Sequence, residues 1–276
     1  MYDSSMSGGK RGGRSEPDAG TGPGTVDAPD RVVSLAPSAT ATLSALGADE
    51  RIVGVTTHCD LDRPTVGGWL TPDYDRLADL DPDLVCTCDD LQASIRDDLR
   101  ERGHDVHHVA PSTLPEVLAS FEALGTAVGR ADAAADLVAA FDEHLDGVGS
   151  AGVAGGAGTE DDRDGRPVVY CEEWGDPPMA AGNWVPDLVA AAGGSYPLVE
   201  AGERSREVSR EAVAAVDPDH VILHHCGADD GTDPRVLERR GWHLDAAVHV
   251  VDDSLLNQPS PRLLDGAETL AVLFSD

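Results

Sequence analysis

The side chains of this sequence that could carry chemistry are few and grouped. Cys86-x-Cys88, His58-Cys59, His107-His108 and His224-His225-Cys226 are residue types that ligate transition metals, or that act as a thiolate nucleophile beside an imidazole. Their spacing argues against a protein-held metal. Cys86 and Cys88 fall inside the run LVCTC, without the ligand gap of a structural zinc knuckle. Adjacent histidines in a strand point to opposite faces, so neither His-His pair converges on one ion. Small buried groups and ordinary loop residues are the expected roles, with no intrinsic cofactor and no catalytic residue. His58 and His224 remain weak candidates to reach the metal of a bound chelate. A nucleophile built from Cys59 and a neighbouring histidine is the rival of another class, a thiol- or metal-dependent hydrolase. No GxSxG, P-loop or GxGxxG occurs.

Trp69, Trp174 and Trp184 follow expected strand ends, while Trp242 sits near a helix end and is read as structural. A loop tryptophan in water is costly unless something packs on it. A wide, flat, partly apolar ligand would cover three at once.

These residues need elements to position them. Short apolar runs predict strands at 31–36, 51–56, 84–88 and 106–109, then near 167–173, 220–225 and 248–252. Helical periodicity predicts helices near 38–47, 73–80, 91–102 and 114–128, then 185–192, 209–216, 233–240 and 262–273. Strands alternating with helices imply parallel sheets, with ligands at the carboxyl ends of the strands. The halves echo each other. Val32 to Pro82 and Val168 to Pro218 are both intervals of 50 residues, offset by 136. Between them, Ala134, Leu137, Val138, Phe141 and Leu145 share one helical face. The expected class is α/β, with two Rossmann-like lobes, each with a parallel sheet, joined by a long rigid helix. Boundaries are a disordered tail at 1–30, a first lobe at 31–129, the linking helix at 130–148, a flexible acidic Gly-rich loop at 149–166 and a second lobe at 167–276.

Charge excludes some functions. With 20 basic and 51 acidic residues the net charge is −31, and Lys10 is the single lysine. Phosphate backbones and anionic membranes both demand the opposite sign. The acids are spread along the chain, as on the solvated surface of a salt-adapted protein. Five cysteines at irregular spacing do not form a disulfide framework, so reduced, buried thiols are expected. No apolar run reaches the roughly 18 residues of a membrane span. Residues 1–30 contain no signal-peptide core, so a cytoplasmic location is expected for the sequence as given. The alternative is the extracytoplasmic membrane face, if the start is misassigned.

RVVSLAPSATATLSALGADERIVGVTTHCD and GGWLTPDYDRLADLDPDLVCTC resemble the first lobe of the cobalamin- and siderophore-binding receptors of ABC importers. EEWGDPPMAAGNWVPDLVAAAGG, VSREAVAAVDPDHVIL and PSPRLLDGAETLA resemble the second. The resemblance covers about 31–274 and implies class III receptors with a helical backbone, in which a ligand is clamped between lobes with little closure. It implies cobalamin or a related metal chelate as ligand, held for uptake with an ABC permease as partner or, in a cytoplasmic relative, bound as corrinoid inside the cell, and a monomer is expected. A siderophore, haem or metal receptor is the alternative within the fold. The expected ligand-binding set, collected from the strand ends, is Ser38, His58, Trp69, Trp174, Met179, Asn183, Trp184, Leu255 and Asn257, and Trp69 matches a position where the family's aromatics meet the ligand. His58 stands where a Tyr is common, and Leu255-Leu256-Asn257-Gln258 stands where the family usually brings an aromatic and charges. Asp75 and Glu211 match the carboxylates that dock on permease arginines, and they too are 136 residues apart.

Overall fold

A computed structural model of the chain describes residues 28–153, 165–227 and 231–275. The first half runs β1 (Val32–Ser34), α1 (Pro37–Ala45), β2 (Ile52–Val55), β3 (Gly67–Gly68), β4 (Thr71–Pro72), α2 (Tyr74–Asp79), β5 (Leu84–Cys88), α3 (Ala93–Glu101), β6 (Val106–Val109) and α4 (Leu114–Ala127). Its main sheet has the order β2-β1-β5-β6, all parallel. Val32, Val33 and Val85 are wholly buried, because helices cover both faces. Local chemistry sets the helix starts. Pro37 opens α1, the Asp73 side chain accepts from the Arg76 N–H at α2, and Thr113 with Glu116 forms a reciprocal capping box at α4.

After α5 (Ala131–Val153), the second half runs β7 (Val169–Gly175), β8 (Pro178–Ala180), α6 (Val185–Ala191), β9 (Arg206–Glu207), α7 (Arg210–Val216), β10 (His220–Leu223), α8 (Val236–Arg239), β11 (Ala247–Val250) and α9 (Leu263–Phe274). Its sheet has the order β11-β10-β7-β8-β9. The first three strands are parallel, but β8 and β9 add antiparallel. The expected parallel sheet is therefore mixed. Asp176 and Pro177, joined by a cis peptide, lie in the turn between β7 and β8, and residues read as a loop form a hairpin instead.

Two boundaries differ from expectation. Residues 28–30 are packed, with the Pro29 carbonyl accepting from Arg51 at 3.0 Å and the Asp30 N–H donating to Asp83. The rest of the expected tail, 1–27, lies outside the described residues. The linking helix runs on to Val153, through Gly147, Gly149 and Gly152. Glycine weakens a helix by about 1 kcal/mol each, but extending a formed helix adds a hydrogen bond per residue. Of the expected loop, 154–164 lies outside the described residues.

The linkage is more than one helix thick. Leu114, Val117 and Phe121 of α4 and Phe141 of α5 are buried with Val169, Cys171 and Ile222 of the second sheet. Leu124 and Val128 bury instead with β1, β2 and β5. So α4 straddles both cores, lying on α5 with the Phe121 and Phe141 rings 6.4 Å apart. Their approach is close: a Cβ on Gly125 would sit 2.4 Å from that of Ala134.

The repeat is real, with one slip. Asp81 and Asp217 both take left-handed backbone, φ +43° and +47°. Asp83 and Asp219 each accept from the N–H that precedes or opens the lobe's first strand, at Arg31 and Val168. Yet Val32 pairs with Leu84, whereas Val169 pairs with His220. The first-strand offset is 169 − 32 = 137, not 136, so the partner of Val32 is Val169 rather than Val168. Among the described residues, no helix is long and apolar enough to cross a membrane.

Candidate functional site

The carboxyl ends of the first sheet carry Ser38, His58 and Trp69. Ser38 is buried in the first turn of α1 and lines a small cavity with Cys88. Burial pushes Cys88 up to about 11 and Cys86 up to about 12, so both are protonated, inert thiols. His58 is exposed on the turn after β2. Trp69 is half-buried against the first core, in the turn between β3 and β4. Gln92 fixes that turn. Its side chain is fully buried, donates to the carbonyls of Trp69 (2.7 Å) and Leu35 (3.0 Å), and accepts from the Cys88 N–H (2.8 Å). Nothing in the sequence pattern marked this glutamine.

The hydrolase rival needs Cys59 beside a histidine. The Cys59 sulfur instead lies 3.2 Å from the hydroxyls of both Thr40 and Thr56. His224 belongs to the other lobe and is engaged with Asn257. No group of three or more His, Cys, Asp or Glu among the described residues could hold a metal. Of the five thiols, Cys226 is exposed and Cys59 half-buried, against the expectation of burial.

In the second lobe, Trp174 lies at the hairpin tip. It is 48% exposed, with its indole N–H on the Asp176 carbonyl at 2.9 Å. Met179 is its cross-strand partner on β8. Asn183 is half-buried in left-handed backbone, φ +53°, its N–H bonded to the Glu203 carbonyl. Trp184 is different. It is only 5% exposed, packed in the core, with its N–H on the Leu256 carbonyl at 2.8 Å. It supports the loop after β11 from beneath and is not a ligand face. Leu255 is half-buried, its carbonyl pressed on Gly266, where a Cβ would lie 2.2 Å away. Asn257 grips His224 twice, accepting from Nδ1 and donating from Nδ2 to the main-chain oxygen at 3.0 Å. An amide oxygen only accepts, so the ring hydrogen is on Nδ1 and Nε2 is a buried lone pair without a partner. Burial, opposed by the Asn257 bond, lowers this histidine to about 4.

A buried network underlies the hairpin. Glu172, wholly buried on β7, receives both terminal nitrogens of Arg240 at 2.8 Å, the Tyr170 hydroxyl at 2.6 Å and His225 Nε2 at 2.8 Å. Burial pushes the carboxyl up, but these four bonds outweigh it and hold Glu172 below its usual value. In so acidic a chain, an acid at the end of an apolar run gave no hint of this role.

The two sets of strand ends meet. Pro259, after β11, closes a cavity of about 10 Å³ with Ser38, Thr87, Cys88 and His107 of the first lobe. The Leu114 N–H donates to Asp187 at 2.8 Å, and Arg204 pairs with Asp90, an exposed pair of little energetic weight. Along these loops, Leu70 and Leu91 are 48% and 57% exposed, alongside Trp174. Asp75 and Glu211 are exposed at the second position of α2 and α7. Each helix is anchored by one fully buried side chain, Leu77 or Val213.

A family model described as periplasmic binding protein matches residues 32–249. The chain is similar to a cobalamin-binding protein of Halobacterium salinarum, 28% identical over 279 residues, covering 94% of this chain and 73% of the relative. Among solved structures it is similar to a periplasmic heme binding protein from Pseudomonas aeruginosa. The TM-score is 0.74 at 23% identity, over 90% of this chain and 93% of that one. It is also similar to the periplasmic vitamin B12 binding protein BtuF of Vibrio cholerae. Here the TM-score is 0.69 at 21% identity, over 89% and 96%. At these identities the solved structures share the fold.

Proposed function

We propose that this chain, which belongs to the periplasmic binding protein family, holds cobalamin or a related metal chelate between its lobes for uptake by an ABC-type permease, acting by binding and not by catalysis. The observation that carries the reading is that strand-end segments of the two lobes meet at Pro259 and at the Arg204–Asp90 pair, while Leu70 and Leu91, in loops that follow β2 and β5, and Trp174, at the end of β7, are exposed. Exposed apolar side chains at such strand ends suit a broad ligand with flat faces. The similarity to a cobalamin-binding protein over 94% of the chain supports a corrinoid. Trp69 and Trp174 are the flat contacts. Ser38, His58, Asn183 and Asn257 are the proposed polar contacts, with Met179 and Leu255 as further apolar ones.

Calorimetry and visible absorption on titration with cyanocobalamin test this reading. One saturable equivalent is expected. Absence of saturable binding to cyano- and aquocobalamin would remove the corrinoid, and haem and ferric siderophores would then be titrated in the same way.

A further inference from the structure

Two loops of the second lobe follow the carboxyl ends of its strands: the hairpin bearing Trp174, after β7, and the segment from Asp253 to Ser260, after β11, which meets the first lobe at Pro259. We propose that the four residues His224–Gly227, which follow β10, are the unit that positions both, with His224 serving one loop and His225 the other. This rests on the receptor reading above, because it names what holds that receptor's second-lobe surface in place.

The geometry is specific. His224 donates from Nδ1 to the Asn257 side chain, which returns a bond to the His224 carbonyl at 3.0 Å. The Gly227 N–H holds the start of the same loop through Asp253 at 2.9 Å. In the other direction, His225 donates from Nε2 to Glu172 at 2.8 Å. Its ring lies against the hairpin tip, so closely that a Cβ on Gly175 would stand 2.8 Å from His225 Cε1. The Cys226 N–H reaches the Glu173 carbonyl at 2.9 Å. Successive side chains of an extended segment point to opposite faces. That alternation, which bars the pair from sharing one metal, lets adjacent histidines reach two different loops. Each histidine also uses a different ring nitrogen, fixed by its partner. Glu172 is itself immobilised by Arg240 and Tyr170, so His225 is a strut between a rigid ion pair and the Trp174 hairpin.

Amide hydrogen exchange on the full chain without ligand is the test. His224→Ala and Asn257→Ala should speed exchange across 253–260 by about tenfold or more and leave 173–180 unchanged; His225→Ala should do the reverse. Conservative variants should restore protection. His224→Asn places a donor where Nδ1 was, and His225→Gln places one where Nε2 was. In cyanocobalamin titrations, His225→Ala and Trp174→Ala should each weaken binding, and the double variant should be no weaker than the worse single one. Two results would overturn the assignment: both loops loosening together in either variant, or His225→Ala and Trp174→Ala losses that multiply as independent effects. Absence of cobalamin binding in the unaltered chain, with the exchange pattern intact, would leave the assignment standing and count against the corrinoid alone.

Discussion

His224 enters the folded protein neutral, sealed at the end of β10 with its Nδ1 hydrogen committed to Asn257. Its pKa falls from 6.5 to about 4, chiefly through burial. The folded chain therefore refuses a proton that the unfolded chain accepts between those values. Stability must fall as pH drops through that window, by about 3 kcal/mol at roughly 1.4 kcal/mol per unit, and none of this loss occurs above pH 7. Urea unfolding at stepped pH should show a steeper acid loss for the native chain than for His224→Asn. Equal slopes would mean that His224 does not titrate in this way. The residue scale is also where sequence reading reached least far. Trp174 and Trp184 look alike as loop tryptophans, yet one is at a hairpin tip and the other is core, a difference made by Leu256 arriving from 72 residues away. Glu172 and Gln92 acquire their roles in part from partners distant in sequence, Arg240 and Leu35 among them.

Helices and strands were far more legible, because periodicity and caps are local. Each of the main strands and helices lies near its expected place. The exceptions are short pieces made by turns, β3, β4, β8 and β9, whose two or three residues carry no period to read. The α7 and α2 helices repeat each other in sequence and in setting, each exposing a carboxylate one residue into its first turn. Acids there are favoured by the helix dipole, a structural reason that needs no partner. Docking on permease arginines is the further role proposed for Asp75 and Glu211. Asp75→Arg and Glu211→Arg should each abolish cobalamin uptake in cells while leaving the titrated affinity within about twofold, since neither belongs to the proposed ligand contacts. Uptake that persists in the double variant would rule that role out.

At the scale of the whole molecule, the lobes are joined by α5 with α4 laid across both cores, and pinned again by Pro259 and by the Leu114–Asp187 bond. So much shared packing opposes a wide hinge, and a ligand must be met by two surfaces that are already nearly in place. Binding between lobes then makes a demand that no single-lobe site makes: side chains from both halves must contribute to one ligand. The direct measurement is the affinity for cyanocobalamin of the native chain, Trp69→Ala, Trp174→Ala and the double variant, in low and in high salt. Clamping predicts one equivalent bound, with each single substitution weakening affinity by about tenfold or more, as loss of a stacked aromatic contact should. Affinity that ignores either tryptophan would contradict it, because the ligand would then rest on one lobe alone.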